Sequence, residues 1–466
     1  MYDHTKQYRC TIIRGKAQRD IEDLLPAYAQ IIESICPCSQ ETFRIQFNDS
    51  LKKIIKQNVT KKTLDNHRTE IVGKLFGMYY LDADDSVYPS ERTLKLLEDG
   101  DQPAFFKDIC FKMQFPNGMD KVSTTLERMK YKINIRPNSF VLKTLLIAEK
   151  ILLKLTIEEI GYYILNSLDV LTSQASPEEV IQQIRRDRQQ KIQRRIPYNN
   201  HETSYVMQHI KEQINYLELA NLVFIENKSE KNYVLLNKNE RKTIELLSKY
   251  WNCKPEFNVY KYDLTSKSGK NEFKLSWGKY FSELSSYAGQ FKTTITSLQI
   301  SKNNIKKEGI SSTVELGDEG ERFVYEYEKE RVIKFNKRLV NKVIPLGKTK
   351  GLGYDIQSVV AEVGEFSEFV KYIEVKSTKR VTEPDKDSVS WSDSVNMTRN
   401  EWIAAQQHKE FYSIYRVYFT RQKVVLFIIK NIYKKTQQKI LNITPMMYRV
   451  DFDSHAIDSV IENLGG

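Results

Sequence analysis

The stretch Gly353-Tyr354-Asp355-Ile356-Gln357-Ser358 is followed by Tyr372-Ile373-Glu374-Val375-Lys376-Ser377-Thr378, with Glu374 standing 19 positions after Asp355. Both segments lie in apolar, β-rich surroundings. Residues i and i+2 of a strand point to the same face, so Glu374 and Lys376 project side by side. If Asp355 ends a neighbouring strand, two carboxylates and an ammonium converge on one point. Two carboxylates suit a hard divalent cation, and a cation together with a lysine suits attack on a phosphodiester. Taken singly, the same residues read as a turn acid and a solvated salt-bridge pair; only their conjunction is informative.

Working outward, the chain changes character at Leu316. Gly317-Asp318-Glu319-Gly320-Glu321 opens an amphipathic helix with Phe323, Val324 and Tyr327 on its apolar side. Apolar runs follow at Val343-Ile344, Ile356 to Val360, Phe369 to Val375, Tyr415 to Phe419 and Val424 to Ile429. A helix from Thr398 to about Lys409 interrupts them, with Thr398 as N-cap and Glu401 at N3. The order α-β-β-β-α-β-β puts the acidic pair on the second and third strands.

That order is the layout of a PD-(D/E)xK restriction-endonuclease-like core. Gly317-x-x-Gly320-Glu321, Leu346-Gly347, the two acidic segments, Met397-Thr398-Arg399-Asn400-Glu401-Trp402 and Tyr412-Ser413-Ile414-Tyr415-Arg416-Val417 closely resemble one nuclease-like family. It is named for the C-terminal domain of the plant NO VEIN protein and also occurs in bacterial restriction and defence proteins. The resemblance implies that Asp355 and Glu374 ligate Mg²⁺, with the Val375 carbonyl as a third protein ligand. It further implies that Lys376 orients or helps deprotonate the attacking water and stabilises charge on the phosphate. Glu321 would reach the metal cluster directly or through water. Lys348 and Lys350, just ahead of Asp355, are phosphate-contact candidates.

The N-terminal side is α-rich. Residues 1–125 read as a winged-helix-like module: Thr63 caps a helix carrying Leu64, Ile71, Val72, Leu75 and Phe76, and a hairpin turns at Asp82-Ala83-Asp84-Asp85. Asn66, Arg68 and Lys74 fall on that helix's other faces and are candidate DNA contacts. Residues 138–250 repeat the layout. Thr156-x-x-Glu159 forms a capping box, and Ser176-Pro177-x-Glu179 starts a helix expected to carry Arg185, Arg186, Arg188, Lys191, Arg194 and Arg195. Such a basic face can meet phosphates without reading sequence. A hairpin from Leu222 to Leu236 completes the second winged-helix-like module. Residues 251–313 read as a connector, with a short helix around Trp277 to Tyr287, and 314–450 as the nuclease domain. Arg92 to Gly100 with Gln114-Phe115-Pro116-Asn117-Gly118 looks like the DNA-reading region of type II restriction endonucleases, AlwI-type enzymes among them.

Bulk properties agree with this division. Length gives a prior of about three domains, and 40% hydrophobic with 28% charged residues builds real cores. A formal charge of +12 and a pI near 9.1 favour an anionic partner, nucleic acid or membrane surface. Five cysteines without CxxC or zinc spacing fit a reducing cytosol, here the bacterial cytoplasm that the resemblance implies. Met1 to Lys6 lacks the apolar stretch of a secretory signal, and no apolar run approaches the ~20 residues of a membrane span. The six histidines show no metal spacing and no HNH pattern.

The sequence thus predicts a multidomain protein, winged-helix modules followed by an α/β PD-(D/E)xK core, acting as a Mg²⁺-dependent endonuclease of restriction type on double-stranded DNA. One active site per chain implies a homodimer for double-strand cleavage. No P-loop or methyltransferase motif is present, so a separate methyltransferase is the expected partner. A modification-dependent endonuclease and a non-catalytic DNA-binding protein that keeps the nuclease fold are the alternatives.

Overall fold

A computed structural model describes residues 18–464, apart from 56–58, 195, 197–201, 294–315, 348, 350, 389–390 and 446–447. The chain forms a helix-rich N-terminal part and a C-terminal part built on a mixed sheet. Much of the connector, Arg195, Lys348 and Lys350 lie outside the described residues.

In the N-terminal part, α1 (Gln18–Ile35), α2 (Gln40–Ile54) and α3 (Lys61–Asn66) precede a hairpin of β1 (Tyr79–Leu81) and β2 (Ser86–Pro89). The N-cap of α3 is Thr60, one turn earlier than the expected Thr63: the Thr60 hydroxyl accepts from the Thr63 amide at 3.2 Å. From His67 to Leu75 the helix widens to π turns. The helices α4 (Glu91–Asp99) and α5 (Gln102–Lys112) follow, then α6 (Pro137–Lys150), α7 (Pro177–Gln189) and α8 (Glu202–Leu219). A second hairpin joins β3 (Val223–Lys228) to β4 (Lys231–Leu236) through Ser229 and Glu230, both at positive φ, the backbone that a tight two-residue turn demands. The boxes at Thr156/Glu159 and Ser176/Glu179 form as the sequence predicts.

Two expectations shift. The helix after Ser176 ends at Gln189, because Lys191 turns into left-handed backbone (φ 55°), so Lys191 and Arg194 leave it. The helix at Trp277 starts ten residues earlier, as α10 (Lys267–Ser282) after α9 (Arg241–Ser248), because the Ser266 hydroxyl caps the Gly269 amide.

One apolar core runs from Ile21 to Phe291, across both N-terminal segments, 1–125 and 138–250. At its centre every residue of α5 is buried. Its charged members are paired: Lys107 bonds Glu240 at 2.9 Å and Thr293 at 3.1 Å, Asp108 takes Arg92 at 2.7 Å, and Lys112 donates to the Tyr280 and Glu283 carbonyls. A buried charge is tolerable only with such partners.

In the C-terminal part, α11 (Leu316–Phe335) precedes β5 (Ile344–Pro345), β6 (Ile356–Val359), β7 (Val370–Lys379), β8 (Asp393–Met397), α12 (Arg399–His408), β9 (Tyr412–Phe419), β10 (Lys423–Lys430), β11 (Asn442–Pro445), β12 (Tyr448–Phe452) and β13 (Ser459–Leu464). Six strands make one sheet in the order β13-β10-β9-β7-β6-β5, with only the β9–β7 pair parallel. A small sheet, β8-β12-β11, lies beside it. Alternation along the strands creates two cores. Ile373, Val375, Tyr415 and Val417 face Val324 and Val332 of α11, while Tyr412, Ile414 and Tyr418 face Trp402 and Ala405 of α12. Glu374 and Lys376, the even members of β7, therefore point to the α12 face.

The two parts meet at the end of β7. The Gly100 carbonyl accepts from Thr378 Oγ1 at 2.9 Å and from the Lys379 amide at 3.0 Å. Arg380 bonds Asp23 of α1 at 2.7 Å, and Glu22 accepts from the Val381 and Thr382 amides.

Candidate active site

Antiparallel pairing of β6 with β7 puts Ile356 opposite Ile373, and so brings Asp355, the residue just before β6, opposite Glu374. Asp355 thus precedes its strand rather than ending it, but the convergence expected from the sequence results all the same. The Asp355 amide donates to the Ile373 carbonyl at 2.9 Å, and Asp355 Oδ2 accepts from the Val375 amide at 2.8 Å. Gly353 shapes the approach. Its φ of 78° is a left-handed conformation, and a Cβ there would lie 2.4 Å from the Asn400 carbonyl oxygen. Tyr412 holds the same turn through a 2.9 Å bond to the Gly353 carbonyl.

Glu374 is 3% exposed, and Lys376 Nζ sits 2.6 Å from Glu374 Oε1. Nζ also lies 2.8 Å from Glu401 Oε2 on α12. Glu401 is a further carboxylate in this cluster, which its spacing from Thr398 in the sequence accounts for only as a helix cap. The cap is there, a full box with Thr398, and the carboxylate serves both purposes. Its presence in the Met397 to Trp402 segment was the available signal.

Burial pushes the Glu374 carboxyl well above its usual range; Lys376 opposes this, and the neighbouring Asp355 and Glu401 charges reinforce it. Burial also raises Asp355. Burial alone would lower Lys376, but Glu374 and Glu401 outweigh it and hold the ammonium above its ordinary value. Two desolvated carboxylates side by side are electrostatically short of positive charge, the condition that a bound cation relieves. The donor set, two carboxylates and a carbonyl, suits Mg²⁺, which takes few carboxylates and keeps several waters. Among the described residues no group of three or more His, Cys, Asp or Glu is placed to hold a metal ion.

The start of α11 packs against β7, where a Cβ on Gly320 would strike Ser377 Oγ, and the Glu321 carboxylate lies beside Gly347, whose neighbour Leu346 donates its amide to the Asp355 carbonyl at 2.7 Å. A cleft of about 260 Å³ opens beside Lys376, walled by Gln30 and Gln102 from the N-terminal part and by Thr378, Asn396 and Arg416 from the sheets.

Residues 2–278 match the family described as restriction endonuclease BpuJI, N terminal. The chain belongs to that family. Residues 320–429 match the family described as protein NO VEIN, C-terminal, in line with the resemblance read from the motifs. Among solved structures, the chain is similar to the BpuJ1 endonuclease binding domain, crystallised with pyrene- and phenanthrene-modified DNA. The two are 51% identical with a TM-score of 0.58, over 60% of this chain and all of that one. No curated protein matches.

Within the BpuJI-type region, the candidate DNA contacts differ in availability. Asn66 is exposed at the end of α3. Arg68 is half-buried and bonds Asp65 at 2.7 Å, and Lys74 bonds Glu70 at 2.6 Å. Arg185 and Arg186 are exposed on α7, whereas Arg188 is held by Glu159 at 2.7 Å and by the Lys154 carbonyl at 2.8 Å. Arg194 folds back onto Asp187. The basic run is thus partly structural: Arg185, Arg186 and Arg188 are all exposed on the helix, but Arg188 is committed to its ion pair. No helix among the described residues is long and apolar enough to cross a membrane.

Proposed function

We propose that this chain is a Mg²⁺-dependent DNA endonuclease of restriction type, with a BpuJI-type region that binds double-stranded DNA and a PD-(D/E)xK core that hydrolyses its phosphodiesters. The observation that carries the reading is the meeting of Asp355, Glu374 and Lys376 across the β6–β7 pair, in a chain whose N-terminal family includes a DNA-bound domain.

Asp355 and Glu374, with the Val375 carbonyl, would hold Mg²⁺, which when bound supplies Lewis-acid stabilisation of the phosphate and a more acidic water. The chain's own groups do the rest. Lys376, kept protonated by its two carboxylates, offers a fixed positive charge to the phosphoryl oxygens as negative charge builds there. In that state it has no free pair with which to take a proton, so it suits charge stabilisation and orientation of the water rather than general-base work. The water oxygen forms a bond to phosphorus while the bond to the leaving sugar oxygen breaks in line; the attacking water gives its proton to a neighbouring solvent water, and the leaving oxygen takes one from solvent. Arg185, Arg186 and Asn66 are candidates to hold DNA, together with Lys348 and Lys350, which stand just ahead of Asp355 in the sequence. Two copies of the chain, each with one site, would cut both strands.

The test is plasmid cleavage with Mg²⁺. The wild type should give discrete fragments, and Asp355→Ala and Lys376→Ala should bind DNA as tightly and lose cleavage by about 100-fold or more. Cleavage that survives Asp355→Ala would overturn the site. Cleavage confined to methylated plasmid would make the enzyme modification-dependent, and binding without cleavage would leave a DNA-binding protein on a nuclease fold.

A further inference from the structure

Lys376 is held at two points from two different elements. Glu374 Oε1 lies 2.6 Å away on the same strand, and Glu401 Oε2 lies 2.8 Å away on α12. An ammonium has three N–H donors on a flexible four-carbon stem. One carboxylate contact leaves it free to swing, whereas two fix the direction of the third donor.

Glu401 is well suited to be the fixed point. Its side chain is 13% exposed. Its Oε2 also accepts from the Thr398 amide at 3.1 Å, and its own amide donates to Thr398 Oγ1 at 3.3 Å. The carboxylate is therefore locked to the first turn of a helix whose Trp402 and Ala405 are buried in the core. Glu374 cannot serve in the same way, because in the nuclease reading its charge turns to the cation.

We infer that Glu401 is a positioning residue for Lys376: it retains the ammonium when Glu374 is drawn to the metal, and so aims the lysine at the phosphate. This rests on the nuclease reading above, and it assigns Glu401 no contact with metal or DNA.

The capping role and the positioning role separate by mutation. Glu401→Gln keeps an N3 side chain that completes a capping box but removes the charge facing Lys376. Thr398→Ala removes the cap and leaves the carboxylate. In the full chain, kcat for Mg²⁺-dependent plasmid cleavage should fall about 10- to 100-fold in Glu401→Gln, with KM for DNA, half-saturating Mg²⁺ and Tm close to wild type. Thr398→Ala should lower Tm and keep kcat near wild type. Glu401→Asp, one methylene shorter, should lose kcat in the same direction and carries the test should the Gln variant not fold. The inference is overturned by a wild-type kcat in Glu401→Gln or Glu401→Asp, by a raised Mg²⁺ requirement, which would make Glu401 a ligand, or by Thr398→Ala losing kcat equally. A wild type that cuts nothing, or Asp355→Ala that still cuts, removes the nuclease reading and this inference with it. Cleavage lost in Asp355→Ala but intact in Glu401→Gln removes the inference alone.

Discussion

Asp355 reaches Glu374 because the chain before it makes a turn that only glycine accommodates comfortably. Gly353 combines a φ of 78° with a backbone oxygen where its Cβ would be. Ala at Gly353 must both adopt the left-handed region, at about 1–2 kcal/mol, and displace Asn400 at the start of α12, the helix that carries Glu401. Gly353→Ala should therefore lower stability by about 2 kcal/mol or more and slow cleavage well beyond that loss, as measured by thermal unfolding beside single-turnover cleavage. Among the site residues, Asp355, Glu374 and Lys376 were legible because a strand's two-residue period and a short hairpin are local facts. Glu401 was legible only as a cap: its spacing from Thr398 accounts for it fully within one turn of helix, and nothing local says that a lysine 25 positions earlier shares its carboxylate.

Helix α11 grips the sheet through a buried charge network. Glu328 is fully buried; it accepts from Tyr415 at 2.7 Å and Ser358 at 2.6 Å and pairs with Arg331 at 2.7 Å, while Lys371 lies 3.8 Å away. Burial alone would raise its carboxyl, but Lys371, Arg331 and Ser358 outweigh burial and hold it down at about 2, against an ordinary 4.5. A carboxyl depressed in the folded state contributes stability that is present above its unfolded value and lost as pH falls through its folded one. Between pH 4.5 and about 2 this group should thus withdraw on the order of 3 kcal/mol. Glu328→Gln should be less stable than wild type at pH 7, because Lys371 and Arg331 lose their counter-charge. Its unfolding free energy should fall less steeply across the acid window, a difference that denaturant titration at stepped pH will read. At this scale the sequence placed β6, β7, β9, β10 and the helix α12 between them, but not β8, β11, β12 or β13. Strand β8 escaped notice because Asp393-Ser394-Val395-Asn396-Met397 is mostly polar. Its polar members are satisfied only in the assembled fold, where Asp393 takes Arg416 at 2.7 Å and Gln30 reaches the Ser394 carbonyl at 3.2 Å.

Across the whole molecule, the BpuJI-type region and the sheet are joined within four residues of Lys376. Thr378 and Lys379 bond Gly100, and Arg380, 3% exposed on its side chain, bonds Asp23. Burial pushes Asp23 up to about 6 even though Arg380 opposes it. Arg380→Ala would leave Asp23 desolvated without its counter-charge, and Glu22 with only its Val381 and Thr382 donors, at a cost of about 3–5 kcal/mol. Differential scanning calorimetry should show the loss as a lower Tm and, once the junction fails before either core, as two transitions in place of one. Strand periodicity, capping boxes, turn residues and the basic balance of the chain belonged to the sequence alone, because each is set by side chains within a few positions or by composition. From them came the order of α-rich segments followed by an α/β core, and the meeting of Asp355, Glu374 and Lys376. Only the tertiary structure decided that one core spans both N-terminal segments, that Arg188 and Arg194 serve ion pairs, and that Glu401 lies against Lys376. Those outcomes depend on which surfaces bury one another across tens to hundreds of residues, and on charges finding partners once they are out of water.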